Sequence, residues 1–554
     1  GRQKITLVDE MEIISKDKDV CNTFNEFFKD AVTSLGIYDN PYLKTDPGDL
    51  TDPVEIALKK FDMHPSIVEI KDNVQPTEFN FSKIETADIE RQIKRLNLRK
   101  SGTFDDIPVK LIKATCDIIK ECLMDIWNYE IIEGKLFPGK LKLADISAVF
   151  KKLERILKTN YRPISILPAV SKIFERLMHE QMSLHIEKYL SKYLCGFRKG
   201  FNTQHALLAM IEKWRKMVDK GGYAGAVLMD LSKAFDTINH ELLIAKLHAY
   251  GFQKESLDIL MSYLKGRFQR VKINTSFSTW AEILCGVPQG SVLGPLLFNI
   301  YLNDLFFILK DTEPCNFADD TTPFACGLDI TSVVNRLEKD SLLAIVWFEE
   351  NYMKLNEEKC HFLICGPTNA VEHMWVNVGD TQIKESKTEK LLGVHIDKSL
   401  KFDTHVSKLC SKVSTKVTIL ARISKHMTFE KRRILLKSFI ESQFSYCPLV
   451  WMFHGRISNG KINRIHERAL RIVYKDYTST FEELLEKDES FTVHHRNIQR
   501  LAMELYKFHN SLSPDILDDI FVKKQEDVPV LRSQQDFHRP FVKHVGVGDD
   551  SLRA

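Results

Sequence analysis

The sequence predicts a fold that mixes strands and helices, of the α+β class, with the strand-rich part set between helical segments. Short β-rich runs alternate with helical segments between Leu143 and Val394, and helical periodicity dominates on both sides of that stretch. The chain has 554 residues, 44% of them hydrophobic. A chain of this length and composition can bury several cores.

The N-terminal part is predicted to be helical. Apolar residues recur at helical spacing from Ile14 to Leu35, and a stretch rich in Pro, Gly and Asp follows them. Two amphipathic helices are predicted between Ser82 and Glu133, separated by the turn-rich residues 101–106. The predicted order is therefore a helix, a linker and a pair of helices.

The strands are predicted in the middle of the chain, and helices return after it. The β-rich runs occupy residues 147–150, 226–229, 271–273 and 362–364. Helices are predicted from Phe402 to Tyr474. Up to Lys437 their charge is one-sided, because only Asp403 and Glu430 accompany these basic residues: Lys408, Lys412, Lys416, Arg422, Lys425, Lys431, Arg432, Arg433 and Lys437. Such a run is usually a solvated helix face. We favour contact with a nucleic-acid backbone because of the acidic motifs described below.

Overall composition excludes few function classes. The 78 basic residues nearly balance the 75 acidic ones, so net charge alone does not indicate a nucleic-acid binder. The 11 cysteines form no C-x-x-C pair, which favours free thiols, and Cys360, His361 and Cys365 are predicted to line a buried strand instead of binding zinc. No apolar stretch has the length of roughly 20 residues that a membrane helix needs. We expect a cytoplasmic or nuclear protein and, from Gly1 at the start, a piece of a longer one.

The most informative motif is a pair of adjacent acids, Asp319 and Asp320, between two short apolar runs. This pattern predicts a hairpin with the acids at its turn. A third acid, Asp230, directly follows the apolar run 226–229. Three carboxylates from two strands would hold two Mg²⁺ ions, with Mn²⁺ as an alternative, in the geometry that phosphoryl transfer uses. Each motif alone also fits an ordinary turn or a helix cap.

A Gly- and Pro-rich loop lies between the two acidic motifs, at residues 286–295. Its glycines let backbone amides approach a ligand closely, and Pro295 suits the first turn of a helix. An ordinary glycine-rich helix entry is the alternative interpretation. The three motifs together, in this order, resemble the reverse transcriptases of non-LTR retrotransposons, and those of jockey-type elements in particular.

The resemblance implies a right-hand polymerase, with fingers, a palm of antiparallel sheet plus helices, and an all-helical thumb. It implies five segments: a helical connector and linker at 1–80, an N-terminal extension and fingers at 81–225, a palm at 226–396, a helical thumb-like region at 397–510 and an irregular tail at 511–554. The reverse transcriptase core would cover 143–396. No N-terminal endonuclease, which full-length family members carry, is recognisable.

The resemblance also implies roles for single residues. Asp230, Asp319 and Asp320 match the metal ligands, and Lys359 matches a proton donor near the pyrophosphate. Phe235 matches the residue that excludes a 2′-hydroxyl, with a core aromatic as the alternative. The residues expected to bind nucleotide or template are Lys151, Arg162, Gln289 and Gly290. Residues 196–200 match a fingers motif near the template, and 391–394 match the primer-holding hairpin.

The chain departs from the family pattern at three places. Phe317 stands where the family usually has tyrosine, and Leu153-Glu154 stand where it commonly shows Gly-Asp. The second departure affects the turn at the tip of the fingers. These changes, together with Thr103–Asp106, fit an ageing genomic copy.

Three functions remain open from sequence. The first is an RNA-directed DNA polymerase with an RNA template, a DNA primer or target and dNTPs as partners, working in cytoplasm and nucleus as a ribonucleoprotein with element RNA. The second is a degenerate or repurposed copy that binds RNA or RNA–DNA duplex without catalysis. The third is an RNA-dependent RNA polymerase, against which Phe235 argues.

Overall fold

The computed structural model of the chain describes residues 5–9, 12–33, 50–98, 107–367 and 373–521. The turn-rich residues 101–106 and the tail from 522 onward lie outside the described residues. Contacts divide the chain into two units. The first unit comprises Gly1–Ser191, Leu231–Ile308 and Ala344–Leu355, and the second comprises Lys192–Asp230, Leu309–Leu343 and Asn356–Ala554.

Strands and helices mix along the described chain. The strands are β1 (Leu7–Asp9), β2 (Glu12–Ile14), β3 (Leu143–Phe150), β4 (Tyr161–Ile166), β5 (Tyr223–Leu228), β6 (Arg267–Ile273), β7 (Ser276–Phe277), β8 (Ala281–Ile283), β9 (Glu313–Phe317), β10 (Asp320–Gly327), β11 (His361–Cys365), β12 (Trp375–Val378), β13 (Thr381–Lys384), β14 (Thr388–Leu391) and β15 (Val394–Asp397). The α-helices are α1 (Asp17–Thr33), α2 (Pro53–Phe61), α3 (Pro65–Asn73), α4 (Thr86–Lys94), α5 (Val109–Ala114), α6 (Cys116–Asp125), α7 (Ala169–Ile186), α8 (Thr203–Asp219), α9 (His240–Ala249), α10 (Lys254–Leu264), α11 (Gly294–Leu302), α12 (Leu305–Ile308), α13 (Ile330–Glu350), α14 (Asp403–Ser424), α15 (Phe429–Leu435), α16 (Pro448–Trp451), α17 (Arg456–Tyr474), α18 (Phe481–Lys487) and α19 (Val493–His509). The predicted mixture of sheet and helices is confirmed.

The first unit is built on a sheet in the order β4-β3-β6-β7, with β8 also paired to β6. Strands β3 and β6 run parallel, while β3 and β4 form an antiparallel hairpin. Helix α1 packs on this sheet through Val20 and Phe24, both fully buried, against Ile146 and Val271. Asn25 of α1 donates from Nδ2 to the carbonyl of Thr279 at 3.0 Å. The N-terminal helix is thus part of the core of this unit.

The second unit contains a four-stranded sheet in the order β11-β5-β10-β9, antiparallel throughout. Its central strand β5 is largely apolar, and Ala224, Ala226 and Val227 are fully buried. Helix α8 covers the sheet, where the ring of Trp214 lies 6.5 Å from that of Phe324. The sheet therefore has the antiparallel form that the family resemblance implied.

Strand β11 forms one edge of this sheet and carries the cysteines that could suggest zinc. Cys360 is buried just before the strand and Cys365 is buried at its end, and burial raises the pKa of the Cys360 thiol to about 11. The prediction of a buried strand at this place is confirmed. Among the described residues no helix has the length and apolarity required to cross a bilayer.

The helices after β15 contain the basic run, and part of it points inward. Arg432 is buried and donates to the carbonyl of Val473 at 2.8 Å, and Arg433 donates to Asp488 at 3.1 Å. Lys416 donates to the carbonyl of Phe439 at 3.2 Å. The expectation that all nine basic residues form one surface is wrong for Arg432. The exposed members are Lys408, Lys412, Arg422, Lys425, Lys431 and Lys437.

Candidate active site

The two adjacent acids lie at the β9–β10 hairpin, in the second unit. Phe317 pairs with Asp320 across the hairpin, so Ala318 and Asp319 form its two-residue turn. Ala318 has a φ of 59°, in the left-handed region that costs a non-glycine residue about 1 kcal/mol or more. The predicted hairpin with acids at its turn is confirmed.

Two residues that sequence reasoning did not single out hold this turn. Asn316 is fully buried, and its Nδ2 donates to the carbonyls of Ala318 and Asp320 at 3.0 and 3.2 Å and to Thr321 Oγ1 at 3.0 Å. A Cβ on Gly196 would lie 2.4 Å from the Ala318 nitrogen, so the turn packs directly on a glycine. In the sequence, Gly196 stood out only as part of the motif 196–200, for which the resemblance implied a position near the template.

Asp230 reaches the same edge of the sheet from β5. The strands pair Ala226 with Phe324, and a further bridge joins Met229 to Thr321. Asp230 directly follows Met229 and Asp320 directly precedes Thr321, so the two acids adjoin this bridge on the same side. Met229 and Thr321 are buried, and successive side chains alternate between faces, so the two acids belong to the solvent-accessible face.

Lys359 lies beside the first of these acids. Its Nζ is 3.5 Å from Asp230 Oδ2, and the amide of Asn356 donates to the Asp230 carbonyl at 2.8 Å. The Lys359 side chain is 65% exposed, so solvent screens the ion pair strongly. The structure thus brings all four predicted catalytic residues into one unit.

The donor chemistry of this edge fits a hard divalent cation, since carboxylate oxygens are the ligands that Mg²⁺ prefers. Among the described residues, however, no three His, Cys, Asp or Glu side chains are gathered into a ready metal cluster. Two carboxylates about 4 Å apart repel by roughly 4 kcal/mol at an effective dielectric of 20. Carboxylates are therefore expected to gather closely only around the charge of a cation.

The predicted triphosphate-binding residues lie on the β3–β4 hairpin of the first unit. Arg162 pairs with Val149, and the amide of Lys151 donates to the Asn160 carbonyl at 2.8 Å. Lys151 and Val149 are two residues apart on one strand, so Lys151 and Arg162 share a face of the hairpin. Both side chains are exposed. This arrangement leaves both cations accessible to a ligand.

Gln289 and Gly290 lie in a loop attached to the edge of β4. The amide of Ser165 donates to the Gln289 carbonyl at 2.8 Å. Gly290 has a φ of 120°, and a Cβ there would lie 2.7 Å from the Ser165 carbonyl oxygen. Both the backbone conformation and the close approach therefore require glycine at position 290.

Phe235 contacts both this loop and the helix behind it. Its ring stacks on Phe298 of α11, with centroids 4.2 Å apart and planes 17° apart, and its carbonyl accepts from the Val287 amide at 3.0 Å. The next residue, Asp236, was missed by sequence reasoning. Its carboxylate accepts from Gln289 Nε2 at 2.8 and 2.9 Å. Phe235, Asp236 and the loop thus form one connected group within the first unit.

Comparison with known proteins identifies the central part of the chain. Residues 150–396 match the family model described as reverse transcriptase (RNA-dependent DNA polymerase). The central part of the chain is thus similar to reverse transcriptases. The matched stretch includes the three acids, Lys359 and each of the predicted nucleotide-binding residues. Enzymes of this family generally use divalent metal ions.

The chain is also similar to proteins named after mobile elements. It is 26% identical over 409 residues to the probable RNA-directed DNA polymerase from transposon BS of Drosophila melanogaster, covering 70% of this chain and 44% of that protein. It is 26% identical over 347 residues to the RNA-directed DNA polymerase from mobile element jockey of the same species, covering 61% and 37%. The resemblance to non-LTR retrotransposon reverse transcriptases is confirmed. The matched part spans roughly two fifths of each relative.

Proposed function

We propose that the chain is an RNA-directed DNA polymerase, which transfers nucleotides from dNTPs to a primer 3′-hydroxyl on an RNA template. The observation that carries the proposal is the register between β5 and β10. It brings Asp230 and Asp320 to the same side of the Met229–Thr321 bridge, with Asp319 in the adjoining turn. Two-metal phosphoryl transfer uses ions about 3.5 to 4 Å apart, and carboxylates from neighbouring strands are suited to hold such a pair.

Asp230, Asp319 and Asp320 would hold two Mg²⁺ ions. When bound, these ions supply the charge that lowers the pKa of the attacking hydroxyl and neutralises the leaving pyrophosphate. Lys359 stands beside Asp230 and is the group we assign to donate a proton to the pyrophosphate. Its exposed ammonium can reach a ligand without unfolding any buried contact.

The first unit supplies residues for the nucleotide. A guanidinium pairs with two phosphate oxygens at once, so we assign Arg162 to the triphosphate, with Lys151 on the same hairpin face as a second cation. We assign Phe235 to the exclusion of a 2′-hydroxyl, and Gln289 with Gly290 to support of the nucleotide and template. The stack of Phe235 on Phe298 would hold the ring in place.

At larger scale we assign the sheet β11-β5-β10-β9 to the palm, the β3–β4 hairpin to the fingers and helices α14–α17 to the thumb. RNA template, DNA primer or target and dNTPs are the proposed partners. We also propose that the chain works as a ribonucleoprotein with element RNA, in cytoplasm and nucleus. The support is that its relatives are named after mobile elements.

The test is incorporation of dTTP on primed poly(rA) with Mg²⁺ or Mn²⁺, comparing wild type with Asp319→Asn. We expect extension by the wild type and its loss in the variant, because an amide is a weak ligand for a divalent ion. Asp380→Asn is the matched control, since Asp380 is an exposed acid in the β12–β13 turn of the same unit. It should leave extension unchanged.

Two results would count against the proposal. Equal extension by the wild type and Asp319→Asn would show that the Asp319 carboxylate is not needed for nucleotide incorporation. No extension by the wild type, despite salt-sensitive binding to an RNA–DNA duplex, would instead identify a degenerate copy that binds nucleic acid without catalysis.

A further inference from the structure

A small cavity of about 110 Å³ lies in the first unit, between the loop at 285–289, strand β8 and helix α1. Gln289 and Asp236 both line it, and Lys29 and Glu282 lie on its wall. The cavity therefore contains one residue with an assigned role, Gln289, beside a carboxylate with none.

The carboxylate of Asp236 is bonded to the side-chain amide of Gln289. Nε2 donates to Oδ1 at 2.8 Å and to Oδ2 at 2.9 Å. An ionised carboxylate only accepts, so the opposite orientation of the amide would place Oε1 against two like-charged oxygens. Asp236 thus specifies which way the Gln289 amide points, and Oε1 is directed away from the carboxylate.

The chain segments that contain the two residues are also bonded to each other. The Gly286 amide donates to the Ile238 carbonyl, and the Gly286 carbonyl accepts from His240 Nε2 at 2.7 Å. A Cβ on Gly286 would lie 2.6 Å from the Asp236 carbonyl oxygen. Burial lowers the pKa of His240 to about 4, so the imidazole stays a neutral donor. The distance between carboxylate and amide is therefore set by rigid neighbours.

Protonation of Asp236 would weaken its control over the orientation of the Gln289 amide, because a neutral carboxyl can both donate and accept. Burial raises the pKa of Asp236 to about 6, and the bond from Gln289 opposes that rise. The charges of Lys233 and Arg162 also favour the ionised form of the carboxyl. At neutral pH the group is therefore an acceptor.

We propose that Asp236 is a positioning residue for the incoming nucleotide, because it holds the amide of Gln289 in one orientation within the cavity. The inference rests on the proposed function, since Gln289 meets a nucleotide only in a polymerase. Asp236 would then affect nucleotide affinity only by orienting the side-chain amide of Gln289.

The test is a double-mutant cycle in the full chain, using Asp236→Leu, Gln289→Ala and the two combined. The readouts are kcat and KM for dTTP on primed poly(rA), the Kd for the primed template and the melting temperature. Leucine keeps the branching and the number of side-chain heavy atoms of aspartate and removes both acceptors. We expect Asp236→Leu to raise KM by about tenfold to a hundredfold, as for loss of a hydrogen bond to a charged group. We expect no further rise when it is added to Gln289→Ala.

Two variants serve as controls. Asp236→Asn keeps one acceptor oxygen, so it should recover a large part of the lost affinity. Asp72→Leu removes an exposed carboxylate on α3 of the same unit and should change neither KM nor kcat. If Asp236→Leu melts well below the wild type, the cycle with Asp236→Asn replaces it, and its smaller effect must also vanish in the Gln289→Ala background.

The outcomes separate the two claims. An active wild type with an unchanged KM in Asp236→Leu, or with additive effects of the two substitutions, overturns the inference alone. A wild type without activity overturns the proposed function, and the inference with it. A raised KM with unchanged template Kd and no additivity supports both.

Discussion

Leu153 stands in the left-handed region, with a φ of 68°, at the turn between β3 and β4. Its side chain is 77% exposed, so no burial compensates for this conformation. The resembling family commonly has glycine here, and glycine adopts a positive φ without steric cost. The turn keeps its shape through other contacts, because Tyr161 Oη donates to the Arg155 carbonyl at 2.7 Å and Asn160 Nδ2 to that of Glu154 at 2.9 Å. The departure from the family pattern therefore costs stability at one residue.

Replacing this residue by glycine should stabilise the protein. A left-handed residue with a Cβ costs about 1 to 2 kcal/mol, and the entropy of glycine offsets about 0.5 to 1 kcal/mol of that. We expect Leu153→Gly to raise the free energy of unfolding by up to about 1 kcal/mol in urea denaturation.

Leu157→Gly is the matched control in the same turn. Leu157 has ordinary extended angles, φ −96° and ψ 122°, so glycine there brings only the entropic cost. It should lower the free energy of unfolding by about 0.5 to 1 kcal/mol. Equal effects of the two substitutions would show that the φ of Leu153 does not limit stability.

At the scale of elements, the β9–β10 hairpin depends on a segment far from it in the chain. Gly196 precedes α8, and the hairpin turn at Ala318 packs on its bare α-carbon. A parallel bridge between Leu194 and Asn316 fixes the same approach. The position of Asp319 is thus determined by the segment before α8 as well as by its own strands.

Adding one methyl group at Gly196 should therefore reduce catalysis. A Cβ 2.4 Å from a backbone nitrogen forces the turn to move, since backbone atoms cannot rotate away. A displacement of about 1 Å in a reacting group can reduce a rate by about a hundredfold. We expect Gly196→Ala to lower kcat for dTTP incorporation by at least about tenfold.

Gly455→Ala is the control for this prediction. Gly455 lies in the same unit, at the N-cap of α17 with a φ of −61°, and nothing lies within 4 Å of an added Cβ. It should leave kcat unchanged. Full activity of Gly196→Ala at an unchanged melting temperature would mean that the turn tolerates the shift and that the close approach is not needed for catalysis.

At the scale of the whole molecule, net charge is +3, so attraction to nucleic acid depends on where the charges lie. The exposed cations of α14 and its surroundings are Lys408, Lys412, Arg422 and Lys425. Arg432, in contrast, is buried and donates to the carbonyls of Val473 and Met427. The structure therefore divides the basic run into residues that can meet phosphates and residues that stabilise the helices.

This division predicts different effects on duplex binding. Combined Lys408→Gln, Lys412→Gln and Arg422→Gln substitutions should weaken RNA–DNA binding equally for unrelated sequences. For every phosphate that the variant no longer neutralises, the slope of log K against log salt concentration should become shallower by about 0.9 or less. Arg432→Gln should lower the melting temperature and leave the slope unchanged. An unchanged slope in the triple variant would exclude this surface from duplex binding.

The local pattern of the sequence was sufficient for much of the fold and for the acids. The helix at α1, the strands β3, β5, β6 and β11 and the hairpin at Asp319 and Asp320 were all predicted, because periodicity and turn residues act within a few positions. Thr115, which ends α5 and begins α6, was not recognised as a break in the predicted helix before Glu133. Arg432 was placed on a surface, because charge alone does not show which side of a helix is covered.

Sequence patterns were enough to single out the residues proposed to carry the chemistry: three acids at two strand ends, within the stretch that matches the reverse transcriptase family model. The contacts that fix the candidate site residues in place emerged only from the folded chain. The bond between Asp236 and Gln289 joins residues 53 positions apart, and the approach of Gly196 to Ala318 joins two separate motifs. Such contacts arise when packing of distant segments sets backbone positions to within fractions of an ångström, and no short-range pattern in a single sequence encodes those distances.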